Sequence, residues 1–338
     1  MVLVAARESA EGRGLPGLPD LNILVDAVGR NLLFDGIGVI WYFHQVNSHK
    51  PTSMLTLSPP VVVSPAKTDR NQRFIRILKK TLKRTVPIAL ALYFIPWAAA
   101  TYIVLGLVDV LRNKPRTVRI LDCYFAGNGV FTWLLSPFNL LMDLFCFPFW
   151  NRGVYRLQDL PSGYQSEIQS LITAAADRNL VGLLESKMNG EKRGMIFFKW
   201  YGKNLPASVD MPEYHQPFKY IRTIGVSIFN KKQSTGEHFG PTRVTLRVLY
   251  NINDINSRNV FIRVGDQTHY WQENKLFIFD DTLQHQSCNE SDAIRYCLFV
   301  DILRPSPWPW LMSSVLTGIR LIMAPLKAVF YKHWTFIK

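Results

Sequence analysis

A chain of 338 residues can hold one sizeable domain with attachments, or two small domains. Its hydrophobic content of 48% is ordinary, but a formal charge of +14, from 39 Lys+Arg against 25 Asp+Glu, calls for an anionic neighbour: nucleic acid or a phospholipid surface. The four cysteines, Cys123, Cys146, Cys288 and Cys297, form no CxxC pair. That excludes a disulfide framework and a cysteine zinc site, and it suits a reducing compartment.

Residues 1–66 are rich in Gly, Pro and Ser and close on LSPPVVVSPAK; they read as a disordered extension with no cleavable secretory signal. Residues 67–150 read as a basic juxtamembrane segment followed by a membrane-associated apolar region. Eight Lys and Arg residues lie between Lys67 and Arg84, directly before an uncharged run. That placement favours lipid headgroups, so no nucleic-acid partner is expected. Val86–Val108 carries no charge; as a helix it would extend roughly 34 Å, enough to cross a hydrocarbon core, with a kink at Pro96. Ile120–Trp150 is aromatic but broken by Gly127, Gly129, Pro137, Asp143 and Pro148, a pattern for the membrane interface. Arg112, Lys114, Arg116 and Arg119 lie between the two runs. A re-entrant or in-plane hairpin entered from the cytosolic face reconciles both basic clusters, and it leaves the following domain on the cytoplasmic side.

Ala174–Lys187 is predicted as a helix. FKYIRTIGVSIF, TRVTLRVLYNI, NVFIRV, THYWQ, KLFIF and RYCLFVDIL then alternate or run apolar over short lengths. Many short strands without intervening helices predict a sandwich or jelly roll. Residues 305–338 are apolar with sparse basic residues (Arg320, Lys327, Lys332) and Trp308, Trp310 and Trp334. This is the pattern of an amphipathic interfacial helix, the alternative being a helix packed on the domain.

Two of the seven histidines, His238 and His285, lie at strand edges beside turn-forming residues, in GEHFGPT and FDDTLQHQS. A jelly roll can bring two such ends together around one metal. His44, His49, His215, His269 and His333 read as ordinary residues. Arg247 follows His238 by nine positions and Arg295 follows His285 by ten, both on predicted strands. An arginine on a half-buried strand either faces outward or meets an anion. Two of them near two histidines would suit a dianionic acid beside a metal.

The order HFGPTRVTLR, WQENKLFIFDDTLQH, then an arginine and FVDILRP, resembles the aspartyl/asparaginyl β-hydroxylase family over roughly residues 165–305. FFKWYGKNLPAS is similar to its membrane-bound lipid A 2-hydroxylase branch. The resemblance implies a mainly β catalytic domain at 165–304, a double-stranded β-helix (jelly roll, cupin-like). Around it come N-terminal membrane-associated helices and a C-terminal amphipathic helix at 305–338. It implies Fe(II) held by His238 and His285, with 2-oxoglutarate as co-substrate and O2 as oxidant. Arg295 would take the distal carboxylate of 2-oxoglutarate, with Ser227 and Arg247 as further co-substrate contacts. The reaction implied is hydroxylation of an unactivated C–H with release of succinate and CO2.

Two positions depart from the common pattern. Many such enzymes complete a facial triad with a carboxylate two residues after the first histidine; here that residue is Gly240, as in the peptide-hydroxylating branch. A water could complete the coordination, Asp280 or Asp281 could orient a ligand from behind, and a vacant position is also how related halogenases admit halide. Leu249 stands where the family usually has His, which weakens the contact assigned around Arg247. The membrane lipid is expected both as surface and as substrate, through an acyl chain of lipid A or aminolipid type. Hydroxylation of Asp or Asn in a peptide is the alternative, and a non-catalytic cupin-like binding module a minor one.

Overall fold

Alternating segments between residues 221 and 303 form eight strands that wind as one long ribbon. In a computed structural model, residues 93–185, 187, 192–326 and 334–337 are described, with isolated positions between 75 and 90. The strands in chain order are β1 (Val154–Tyr155), β2 (Arg193–Trp200), β3 (Lys203–Asn204), β4 (Ile221–Phe229), β5 (Gln233–Ser234), β6 (Thr245–Asn251), β7 (Val260–Val264), β8 (Gln267–Tyr270), β9 (Leu276–Phe279), β10 (His285–Asn289), β11 (Arg295–Leu303) and β12 (Thr335–Phe336). Strand β4 pairs with β11, β5 with β10, β6 with β9 and β7 with β8, all antiparallel. The outermost strand always meets the outermost. The ribbon rolls into two facing sheets, ordered β1-β9-β6-β11-β4-β2-β12 and β5-β10-β7-β8. This is a jelly roll, as the strand pattern predicts.

Period-two alternation decides what faces the space between the sheets. Val226, Ile228, Leu246, Val248, Leu298, Val300 and Ile302 point to the outer face of the larger sheet. There they meet Tyr164, Ile168, Leu171 and Ala175 of α5 (Ser162–Asp177). Their neighbours Ser227, Arg247 and Arg295 face inward. The predicted helix at 174–187 is in fact two: α5 ends before Asn179, whose φ of +46° breaks the chain into α6 (Leu180–Glu185). Asparagine tolerates this left-handed conformation better than most residues do.

The N-terminal helices are α1 (Pro96–Val110), α2 (Val118–Ala126), α3 (Val130–Leu134) and α4 (Ser136–Phe145); α7 (Pro309–Met323) follows the β domain. Over 86–108, where the sequence predicts an apolar helix kinked at Pro96, the described residues are helical on both sides of a break at Ile95. Ile95 leaves helical backbone and α1 begins afresh at Pro96, which fits the first turn because it has no N–H to satisfy. At 15 residues α1 is roughly 22 Å long, short of a hydrocarbon core of about 30 Å. Among the described residues no helix is long and apolar enough to cross a membrane. The 1–66 extension and residues 327–333 lie outside the described residues.

These helices are joined to the β domain by a shared core. Met142 and Cys146 pack with Val244, Leu303, Met312 and Leu316. A buried ionic network reinforces the joint. Asp109 of α1 pairs with Arg243, each 1% exposed, and accepts a hydrogen bond from the Tyr124 hydroxyl. Arg243 and Arg304 both reach Asp143 of α4. Arg112 donates to Asp280 at 2.8 Å. Arg112 is thus a partner of the β domain, although its position in the sequence suggests a lipid-facing flank. All four cysteines are free, and three of them are buried.

Candidate active site

His238 lies after β5 and His285 opens β10, and the two residues face each other across an antiparallel backbone bridge. Each backbone N–H donates to the other's carbonyl, at 3.0 and 2.9 Å. Their ring centroids are 4.1 Å apart. His238 Nδ1 lies 2.8 Å from the Gly236 carbonyl and His285 Nδ1 lies 2.8 Å from that of Leu283. A carbonyl oxygen can only accept, so both Nδ1 atoms carry a proton, and in the neutral ring Nε2 is the nitrogen that keeps a lone pair. Burial lowers the pKa of both imidazoles. For His285 the neighbouring His238 depresses it further. Both shifts favour the neutral ring, the form that metal ligation requires.

Inward-facing residues of the larger sheet line the cavity beside them: Ser227, Leu249, Phe279, Arg247, Arg295 and Phe299 among others, around a space of about 390 Å³ counted out to its mouth. Arg295 is fully buried. It donates from Nη1 to Ser287 Oγ at 2.6 Å and lies over the Phe229 ring at 4.2 Å. Its Nε has no hydrogen-bond partner, and burial pulls its pKa down. Among the described residues no carboxylate neutralises it. Such a cation is costly unless an anion arrives.

Arg247 sits differently. Its Nε donates to Asp301 at 2.7 Å, its Nη atoms lie 3.0 and 3.1 Å from Asp281, and its plane lies over Phe299 at 3.9 Å. It is already paired, unlike Arg295. Ser227 is buried on β4 with Oγ 3.4 Å from the Cys297 carbonyl. Leu249 is buried in the apolar core between the sheets.

Gly240 is close to the other carboxylate in the site. A Cβ built on Gly240 would overlap the Asp281 side chain, and Asp281 Oδ1 lies 3.3 Å from His285 Nε2. A carboxylate therefore borders the histidine pair, supplied by the β9–β10 loop rather than by the residue two after His238. Among the described residues no group of three or more His, Cys, Asp and Glu side chains is arranged to hold a metal; the two imidazoles are the converging donors. Their chemistry fits ferrous iron, and the orphaned Arg295 fits the far end of a dicarboxylate.

Asp109, Asp143 and Trp334 also belong to the surroundings, and none is evident as such in the sequence. For the two aspartates a signal existed: an acid inside an apolar run is expensive unless partnered. Trp334 lines the cavity and stands edge-on to Phe229 at 5.2 Å; nothing in the sequence around it gives that away.

Fold and site together define a jelly-roll protein with a paired-histidine centre. Residues 182–305 match the model of the Aspartyl/Asparaginyl beta-hydroxylase family. A curated relative, the ornithine lipid ester-linked acyl 2-hydroxylase of Rhizobium tropici, is 37% identical over 108 residues, 32% of this chain and 38% of that protein. The aspartyl/asparaginyl beta-hydroxylase of Mus musculus is 30% identical over 86 residues, 25% of this chain and 12% of that protein. The chain thus spans well under half the length of either relative. Among solved structures, the salicylate 1,2-dioxygenase of Pseudaminobacter salicylatoxidans aligns at TM-score 0.24 and 12% identity over 38% of this chain and 33% of that one. A likeness so low carries no argument, and the fold rests on the strand pairing above.

Proposed function

We propose that this chain is an Fe(II)- and 2-oxoglutarate-dependent hydroxylase of a membrane lipid acyl chain, of aminolipid or lipid A type. The observation that carries the reading is Arg295, a buried cation without a carboxylate, on the wall of the cavity that holds the His238–His285 pair. The Nε2 atoms of His238 and His285 would hold the iron. Arg295 would receive the distal carboxylate of 2-oxoglutarate, with Ser227 beside it. Arg247 serves the other end and holds Asp281 against the pair. Phe279, Phe299 and Leu249 keep the cavity dry. When bound, iron and co-substrate supply the oxidising chemistry, in which R–H, 2-oxoglutarate and O2 give R–OH, succinate and CO2.

Support for a lipid comes from the helices. Leu141 and Leu144 of α4, Trp308 and Trp310 at the start of α7, and Phe147 and Trp150 after α4 are all exposed, Trp150 by 72% and Trp310 by 68%. Aromatic and aliphatic side chains of this kind settle at the bilayer interface without a span. A cytoplasmic placement suits the four free cysteines. A peptide substrate is the second reading, favoured by Gly240, which the chain shares with the peptide-hydroxylating branch.

The test is mass spectrometry of total lipid extracts from cells with the gene, without it, and with His285→Ala. One added oxygen on an acyl chain, present only with the wild-type gene, is expected. Unchanged lipids, together with iron-dependent succinate formation by the purified protein, would move the assignment to a peptide.

A further inference from the structure

The loop that carries His238 is held from two sides. On one side its N–H groups face the β9–β10 segment: His238 N donates to His285 O at 3.0 Å and Gly240 N to Asp281 O at 2.7 Å. On the other side its carbonyls face the N-terminal helices. Asn128 Nδ2 donates to Glu237 O at 3.0 Å, Thr132 Oγ1 to Gly240 O at 2.9 Å, and Asn139 Nδ2 to Pro241 O at 3.2 Å. Asn139 then accepts from Arg243 N at 3.0 Å through its own Oδ1. Phe239 is clamped between these hydrogen bonds, edge-on to Tyr124 at 5.5 Å. The approach is so close that a Cβ on Gly129 would stand 2.6 Å from Tyr124 Cα and 2.9 Å from Phe239 Cδ2. Thr132 and Asn139 are fully buried.

None of these helical residues lies in the family-matched segment 182–305. We infer that Thr132 and Asn139 are positioning residues: the helical layer sets the backbone of the Glu237–Arg243 loop and so aims the His238 imidazole at the metal. The inference rests on the iron reading proposed above and adds to it that the layer carrying the apolar surface is also part of the metal site. Its physical basis is the economy of a short loop. Gly240 has no side chain to anchor it, and its peptide groups are spent on partners, so its orientation depends on what those partners are. A buried Gly240 carbonyl that loses the Thr132 hydroxyl must turn to find another donor, and His238 is two residues away.

The experiment is a Co(II) titration of the full chain, followed by the visible d–d absorption of the bound ion, for wild type, Thr132→Val, Thr132→Ser, Asn139→Ala and His285→Ala. Wild type is expected to bind and His285→Ala to lose the spectrum. Thr132→Val and Asn139→Ala are expected to bind about tenfold or more weakly with an altered band shape, as for other residues that orient metal ligands. Thr132→Ser restores both, which a simple packing role would not require. A Thr132→Val titration superimposable on wild type overturns the positioning role while leaving the iron site standing. Wild type that takes up no Co(II) overturns the iron reading, and this role with it. Should Thr132→Val fail to fold, Asn128→Ala is the variant to read: it removes a donor to the same loop from an exposed edge, and wild-type affinity there counts against the inference.

Discussion

The carboxylate of Asp281 occupies the space that a side chain on Gly240 would need. The absence of an acid two residues after His238 and the presence of one four residues before His285 are therefore one structural fact. Asp281 is held in place by both Nη atoms of Arg247, at 3.0 and 3.1 Å. If the pair holds iron as proposed, Asp281→Ala is expected to weaken Fe(II) or Mn(II) binding by about 10- to 100-fold. Gly240→Asp alone should disrupt the loop by overlap, whereas Gly240→Asp with Asp281→Gly should recover part of the affinity. Isothermal titration of the three variants checks this; an unimpaired Asp281→Ala would remove the residue from the site.

Arg295 should behave as a buried cation kept for a ligand. Replacing it with Met, of similar length and no charge, is expected to leave the melting temperature unchanged or raise it, because an unpaired buried charge is removed. The same change should weaken 2-oxoglutarate binding by about 2–3 kcal/mol, roughly 30- to 150-fold. Thermal denaturation with and without 2-oxoglutarate separates the two effects.

Asp280 predicts a particular acid response. Burial alone would raise its pKa, but Arg112 and Arg243 outweigh burial and hold it well below the usual carboxylate range. A carboxyl group depressed in this way stabilises the fold fully above its unfolded value of about 4, and that stability is lost as pH falls through the folded value. Asp109 and Asp301, which burial raises, act in the opposite sense. The difference between wild type and Asp280→Asn therefore isolates Asp280. It should be about 3–5 kcal/mol at neutral pH, since two arginines lose a partner, and should shrink below pH 4. Urea denaturation across that range measures it.

The exposed aromatic surface should set membrane affinity without touching chemistry. Trp150→Asp and Trp310→Asp are each expected to reduce binding to phospholipid vesicles about tenfold or more, the scale set by burying one large apolar side chain. Turnover of a detergent-dispersed substrate should be unchanged. Vesicle flotation and a soluble assay, run side by side, check both halves.

The strands were legible because alternation is a local property. FKYIRTIGVSIF and RYCLFVDIL become β4 and β11 almost residue for residue. His238, His285 and Arg295 were legible as candidates because a histidine or arginine at a strand edge or on a buried strand needs a partner. Strand β2 was less so: it holds seven buried residues in a row and shows no alternation. The run at 86–108 was legible only as apolar, because hydropathy counts apolar residues without regard to what they pack on. Pro96 restarts the helix, and Asp109 just beyond the run draws its end against Arg243.

What the sequence by itself determined is the run of short alternating strands and the candidate residues His238, His285, Ser227, Arg247 and Arg295, since both follow from side-chain type and from local pattern along the chain. Tertiary structure alone decided which charges were already paired. Arg247 meets Asp281 and Asp301 from other segments, Arg295 meets no acid among the described residues, and Arg112, Arg243 and Arg304 share Asp109, Asp143 and Asp280 across as many as 168 positions of chain. The reason is physical: the energy of a charge depends on its distance to other charges and on its removal from water, and both are set by contacts between segments that no local pattern records.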